Sequence, residues 1–320
     1  MLSDSTSSSQ RKRPASFFCR LEFIEVKGSL GPNTEFTDNF FITTDQSTID
    51  KLLDWRYSDV IGTMEFGHFK RSPVVAYRQM PLVEAGHERQ ELIKSLVILD
   101  QFESTFWLHS DCCVGHETAF LAYAGNISSN FFGGIRTCAD TTQKTLTVTA
   151  DEIHQLIGLY TKMRRDAKNP TKVHTNINSN RMSRSLDYVS RAQRSVNPAE
   201  KIAFYCTSLE SLFSTDTSEL THQIAERVAV IASQNAEARN GHYWFLKECY
   251  KTRSKFLHGS ALKDSAALEV IKRVPILDDL VRRSICKVLT DETLFSAIAE
   301  DRSLDRFMIK RILGTTADKA

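Results

Sequence analysis

The chain has 320 residues, 41% of them hydrophobic and 25% charged, with 13 glycines, 7 prolines and a net charge of +2. That composition excludes a collagen-like or largely disordered polypeptide, and the length suits two domains better than one. So small a net charge does not argue for nucleic acid by itself.

Residues 1–14 are Ser-rich and then basic, and read as a flexible tail. The stretch 17–26, FFCRLEFIEV, alternates as a strand does, and 36–43 repeats the pattern. Residues 59–66 and 74–77 add extended candidates, punctuated by Gly62, Gly67 and Pro73. The character changes near Gly86. Residues 91–108 place Leu92, Leu96, Leu99, Phe102 and Phe106 at helical spacing, which predicts a buried helix. Gly133-Gly134 and the polar run 137–144 mark a break, and 145–149 reads as a last strand. From Ala150 the spacing predicts helices only. Asp151 is the expected cap of the first, and Asn169-Pro170 its end. The next covers Arg181 to Arg194, with Met182, Leu186 and Val189 inward. A third starts at Pro198, and a fourth spans 219–233 with Thr217 or Ser218 as cap. A fifth follows Gly241, a sixth covers 268–289 interrupted at Pro275, and a short one lies within 295–313. The predicted class is α+β: a β-rich mixed domain over 15–149, then an all-α bundle over 150–320.

Seven cysteines, an odd number scattered through apolar patterns, suit cytosolic thiols rather than a disulfide framework. The N-terminus lacks the apolar run of a signal peptide, and no stretch has membrane-span length. The expectation is a cytoplasmic protein with no membrane partner.

Charge is unevenly placed. Lys162, Arg164, Arg165, Lys168, Lys172, Arg181, Arg184, Arg191 and Arg194 face only Asp166 and Asp187, a local +7 on a chain whose total is +2. Such a segment reads either as a polyanion-binding face or as a solvated surface. On the predicted helix, Arg181, Arg184, Arg191 and Arg194 lie away from the apolar side, which makes them RNA-binding candidates.

The fifth helix ends Arg253-Ser254-Lys255-Phe256-Leu257-His258-Gly259. Five residues separate Arg253 from His258, about 140° on an ideal helix. Gly259 is a natural terminator, which places His258 at the helix end. There an imidazole is well placed to hold and release a proton. An arginine nearby offers a fork for phosphate. RNA cleavage by its own 2′-OH needs these two services and no metal. On spacing alone, R-x4-H also fits an arginine that pairs with an acid and a histidine that caps a helix.

The residues around the pair resemble HEPN domains, in particular the ApeA-like group linked to abortive infection. The resemblance rests on Tyr250, Lys251, Arg253, Ser254, Lys255, His258 and Gly259. It also rests on Ser208-Leu209-Glu210-Ser211-Leu212-Phe213 and on Ile224-Ala225-Glu226-Arg227-Val228-Ala229. It covers about residues 180–290 and none of 1–85; Phe106-Trp107-Leu108 with Asp111 resembles the preceding region of such proteins. The resemblance implies an all-α HEPN bundle that works as a homodimer, with Arg253 and His258 as the catalytic pair. Tyr250, Ser254, Lys255, Glu210 and Arg227 would be supporting residues. Ser254 stands where such enzymes often carry Asn, Asp or His, a departure that leaves its role open. Glu210 and Arg227 are expected to form a buried ion pair that holds the bundle or orients Arg253. The implied activity is a metal-independent endoribonuclease without cofactor, a toxin of anti-phage or stress defence cutting tRNA or mRNA. The 15–149 domain would answer a regulatory protein or phage trigger.

Two other readings compete. One is a non-catalytic HEPN module that binds RNA or protein. The other is a metal-dependent enzyme built on His109, Cys112, Cys113 and His116, although that spacing matches no common zinc module. No phosphate-binding glycine loop or serine-nucleophile motif is present. Trp107, Trp244 and most phenylalanines are expected in the core; the pairs Phe40-Phe41 and Phe131-Phe132 are the ones that could line a recognition surface.

Overall fold

Phe17 and Phe18 are neighbours on one strand and both are fully buried. Successive strand side chains point to opposite faces, so the sheet that holds them is covered on both sides. The computed structural model describes residues 12–129, 134–164, 180–259 and 264–314. The chain divides into two compact units that interleave in sequence.

The described residues of the first unit lie within Met1–Phe102, Val114–Gly134 and Thr145–Ile157. Its strands are β1 (Lys12–Arg20), β2 (Ile24–Lys27), β3 (Thr34–Thr37), β4 (Phe40–Thr43), β5 (Val75–Glu84), β6 (Ala119–Tyr123), β7 (Asn126–Ser129) and β8 (Leu146–Thr149). Six form an antiparallel sheet ordered β3-β4-β5-β1-β6-β7, while β2 and β8 pair in parallel. The unit's helices are α1 (Gln46–Leu52), α2 (Ser58–Ile61), α3 (Thr63–Lys70) and the starts of α4 (Glu88–His109) and of α5 (Ala150–Arg164). On one face Phe18 packs with Ile49, Leu53, Phe69, Val75 and Phe120. On the other, Phe17 meets Phe40, which meets Phe36, whose ring stacks on Phe102 with centroids 4.0 Å apart.

Several expectations are corrected here. The strand begins at Lys12, inside the stretch read as a tail. Pro14 lies where the β1–β5 register shifts between Arg13 and Ala15, as suits a residue with no amide to donate. The run 17–26 is broken at Phe23, whose φ is +56°. The run 36–43 joins a hairpin turned at Asp38-Asn39, φ +41° and +60°, as primed turns require. Residues 59–66 are helical instead of extended, because Phe66 and Phe69 serve helical spacing against the Phe18 cluster. Phe40 is buried and forms no recognition surface, while Phe41 is half-buried, stacks on Tyr77 and lines a cavity with it; Phe131-Phe132 lie outside the described residues.

The second unit holds Glu103–Cys113, Ile135–Lys144 and the described residues of Gly158–Ala320. Helix α5 (Ala150–Arg164) has Thr149, not Asp151, as its cap: Thr149 and Glu152 bond each other's backbone reciprocally. The expected helix end at Asn169-Pro170 lies outside the described residues. Then come α6 (Arg181–Arg194), α7 (Pro198–Phe213), α8 (Leu220–Ala232), α9 (Ala236–Leu257), α10 (Asp264–Thr290), α11 (Glu292–Ala297) and α12 (Asp301–Ile312). Asn180 and Asn197 cap α6 and α7 through their side chains. The short link between them makes the two antiparallel, with Ser185 against Ser208 at 2.7 Å and Lys201 reaching the Ala192 carbonyl at 3.0 Å. Small buried residues, more than the half-buried Leu186, make that contact.

Helix α8 starts without a side-chain cap, since Ser218 is engaged by Asp216. Helix α9 starts before Gly241, at an Asn235 cap. Helix α10 runs unbroken through Pro275, which lies on its exposed side while Val274, Leu277 and Val281 bury the other. The C-terminal stretch forms two helices instead of one.

The core of this unit contains a buried carboxylate. Asp278 Oδ1 accepts from Trp107 Nε1 at 2.7 Å and from the Tyr205 hydroxyl at 2.6 Å. Its Oδ2 faces Arg282 Nη1 at 3.1 Å, an ion pair too bent to be a hydrogen bond. Arg136 is likewise buried, and joins Glu103 and Gln193.

Among the described helices none is long and apolar enough to cross a membrane.

Candidate functional site

Helix α9 ends as its sequence requires. The His258 amide donates to the Ser254 carbonyl at 3.0 Å, and the Gly259 amide to that of Phe256 at 3.1 Å. Gly259 has φ +68°, a left-handed conformation that favours glycine.

Arg253 faces the bundle. Its guanidinium pairs with Glu210 of α7 and lies 5.7 Å from the Tyr250 ring centroid. The Tyr250 hydroxyl also bonds Glu210 and approaches the Cys206 carbonyl at 3.5 Å. Burial pushes the Glu210 carboxyl up, against the pull of Arg253 and the two hydrogen bonds. Burial also raises the Tyr250 phenol well above its ordinary value, so it stays a neutral donor. Arg253 Nε is buried and, among the described residues, has no hydrogen-bond partner. The guanidinium is therefore aimed by a carboxylate and an aromatic face.

His258 faces elsewhere. Trp244, Lys251, Lys255 and His258 are spaced by seven, four and three residues, which places them within about 60° of arc on α9. All four are exposed, Trp244 by 59%. Arg253 is nine residues from Trp244, about 180° around the same helix. One copy of the chain thus presents an exposed imidazole on the same face as two lysines and, about 21 Å further along the axis, an indole, with the arginine on the other side. Ser254 is exposed as well. Trp244 corrects the expectation of a core residue. Its seven-residue spacing to Lys251 was the overlooked signal, because an apolar side chain in phase with lysines lies on the wet face.

The Glu210–Arg227 pair does not form. Arg227 instead donates to the Phe213 carbonyl at 2.6 Å, closing the end of α7, and to Thr215 Oγ1 at 3.1 Å. Its charge is met by Asp305 of α12. A guanidinium is favourable at a helix C-terminus, and its carboxylate comes from 78 residues away. Arg227 therefore holds the bundle, and Glu210 orients Arg253.

Of the RNA-binding candidates, Arg184, Arg191 and Arg194 are exposed, with Arg191 paired to Asp187 at 2.9 Å and Arg194 bonded to Ser190 at 2.7 Å. Arg181 departs from the expectation: it is half-buried, bonds the Ser211 and Leu212 carbonyls and pairs with Asp301. Arg165, Asp166, Lys168 and Lys172 lie outside the described residues. His109 is exposed while Cys112 and Cys113 are buried, and among the described residues no group of three or more His, Cys, Asp or Glu is placed to hold a metal ion.

Replacing Glu210 with glutamine should keep the shape and remove the charge. We expect a loss of about 1–2 kcal/mol, the scale of a charge-assisted bond at a partly screened site. A denaturant midpoint equal to the wild type's would show that Arg253 does not need Glu210.

Comparison with models of known protein families, with curated proteins and with solved structures finds no match to this chain.

Proposed function

We propose that the helical unit is a metal-independent endoribonuclease of HEPN type that acts as a homodimer. The observation that carries this reading is the glycine-terminated end of α9, where His258 is exposed on one side while Glu210 and Tyr250 aim Arg253 on the opposite side.

The chemistry follows from those two side chains. One His258 takes the proton of a ribose 2′-OH. The O2′ attacks phosphorus, and Arg253 offsets the charge that builds on the phosphoryl oxygens. The P–O5′ bond breaks, and a second imidazole donates a proton to O5′. The products are a 2′,3′-cyclic phosphate and a 5′-hydroxyl end.

One chain has one such imidazole on a face apart from its arginine, so a second copy supplies what is missing. A two-fold contact doubles every group it contains. Exposed apolar side chains stand near this helix end: Leu257 is 60% exposed, and Leu268 and Ile271 on α10 are 62% and 47% exposed. Those residues suit burial against a second copy. Lys251, Lys255 and Trp244 can follow the strand, the lysines on phosphate and the indole on a base. Arg184, Arg191 and Arg194 extend a basic surface for RNA. The biological reading is a toxin that arrests growth by cutting cellular or phage RNA, governed by the β-rich unit through a trigger or a regulatory protein.

The competing reading is a non-catalytic RNA- or protein-binding module, favoured by the engagement of Arg253 with Glu210. Sequencing RNA ends after induction of the wild type and of Arg253→Gln separates the two. New 5′-hydroxyl ends at defined sites in the wild type alone support the nuclease and name its substrate. Identical end profiles in both would leave the binding module.

A further inference from the structure

One face of the sheet in the first unit changes character from row to row. Side chains at alternate positions of a strand share a face. On one row Phe18 of β1 stands between Tyr77 of β5 and Phe120 of β6, and Phe41 of β4 stands opposite Tyr77. On the next row of that face Ser16 stands between Gln79 and Ala122. The step from large rings to small side chains leaves a hollow. A cavity of about 540 Å³ occupies it, a volume in the range of small-molecule sites. Three aromatic rings line it, those of Phe41, Tyr57 and Tyr77, and so do three carboxamides, those of Asn33, Asn39 and Gln79.

The frame of the cavity is held by its own bonds. The Phe41 and Tyr77 rings stack with centroids 5.0 Å apart. The Tyr77 hydroxyl donates to the Pro32 carbonyl, which pins the loop that carries Asn33. The Gln79 backbone amide donates to the Asn39 carbonyl at 3.1 Å. The Ser16 hydroxyl donates to Gln79 Oε1 at 2.9 Å, which leaves the Gln79 amino group to donate elsewhere. Tyr57 belongs to the short 3₁₀ helix Trp55–Tyr57, capped by Asp54. The Asp54 oxygens accept from the Arg56 backbone amide at 3.0 Å and from its guanidinium at 2.7 Å. That pair of charges in the wall is closed on itself. The other cation of the lining, Lys51, is exposed.

We infer that this cavity receives a nucleobase, with its ring against the aromatic side chains and its polar edge on the carboxamides. A carboxamide offers a donor and an acceptor side by side, as the edge of a base does. A flat heterocycle stacks on a phenyl or phenol ring. A phosphate would find Arg56 already given to Asp54. An alkyl chain would strip water from the amides and return no bonds. The base belongs either to a free nucleoside or to a single strand of RNA. The inference stands apart from the ribonuclease reading, since it uses neither Arg253 nor His258 and its residues all belong to the first unit.

Isothermal titration of the full-length chain tests it, with adenosine, guanosine, cytidine, uridine and glucose as probes. At least one nucleoside should bind with a Kd below about 1 mM and at least about tenfold more tightly than glucose. Gln79→Glu keeps the shape and removes an amide donor. Asn39→Gly removes a second amide at φ +60°, where glycine is at ease. Each position is exposed, and each variant should weaken the preferred nucleoside about fivefold, the worth of one hydrogen bond. Circular dichroism confirms that both are folded, and Asn33→Ala serves if either is not. His258→Ala should bind nucleosides as the wild type does, so the two readings fail separately. In that variant a short single-stranded RNA that displaces the nucleoside makes the base part of a strand. A nucleoside that stays bound makes it a free ligand. Absence of nucleoside binding overturns the inference. So does equal binding of glucose, which would mean a sugar site, or nucleoside binding that none of these amide variants weakens.

Discussion

Replacing His258 with alanine should lower the rate of RNA cleavage by about 10²- to 10⁴-fold, the contribution of a positioned general acid or base. In the proposed dimer both proton transfers use this residue, so the loss belongs at the upper end. Stability should hardly move. The side chain is exposed, and the residue is anchored through its backbone, by the amide's hydrogen bond to the Ser254 carbonyl. Exposed substitutions of this kind change stability by no more than about 0.5 kcal/mol. The measurement is a cleavage time course in EDTA beside a thermal melt. An unchanged rate would end the assignment of His258, whatever the state of Arg253. A lost rate together with a lowered melting temperature would transfer the effect from chemistry to folding.

The largest effect on stability should come from Asp278→Ala, about 3–5 kcal/mol. Arg282 would lose its nearer, buried carboxylate and keep only Asp279 at 3.6 Å. The Trp107 and Tyr205 donors would lose their acceptor, each at about 1–3 kcal/mol. Asp278→Asn should cost less, because the amide oxygen can still accept from both rings. The same carboxyl imposes a pH dependence. Burial pushes it from 3.8 up to about 6, with Arg282 opposing. Between those values the folded chain holds a proton that the unfolded chain has released. Stability therefore falls as pH rises through about 4 to 6, and levels above that. The displacement is worth about 3 kcal/mol at about 1.4 kcal/mol per pH unit. Buried Lys201 acts in the opposite sense, its ammonium lowered from 10.5 to about 8 chiefly by burial. The unfolded chain holds that proton over the interval, so stability rises between about pH 8 and 10.5. Denaturation at pH 4.5 and 7 should show the first slope in the wild type and its reduction in Asp278→Asn. Equal slopes in the two proteins would move its origin to other groups.

What could be read from the residues in order was what depends on near neighbours. Helices α6 and α7 carry their periodicity, their asparagine caps and a proline at the start of the second within one contiguous stretch. The end of α9 was equally legible, because Gly259 ends the helix by its own backbone freedom. Errors arose where two local patterns compete. Residues 59–66 are apolar enough for a strand, and only the Phe18 cluster selects the helical phase for Phe66 and Phe69. Pro275 was expected to interrupt α10. The apolar side packed across that point gives the continuous helix its compensation.

The sequence by itself determined the α+β class, the helical half and the Arg253–His258 spacing, since these rest on turn chemistry and periodicity over a few residues. The tertiary structure alone decided the partners. Glu210 meets Arg253 from 43 residues away, Arg227 turns to Asp305, and Trp244 stands in water beside Lys251. It alone gathers Asn33, Tyr57 and Gln79 around one cavity. Charges at such separations are neighbours only after apolar faces have packed. Nothing in their own spacing states which of the available carboxylates each will find.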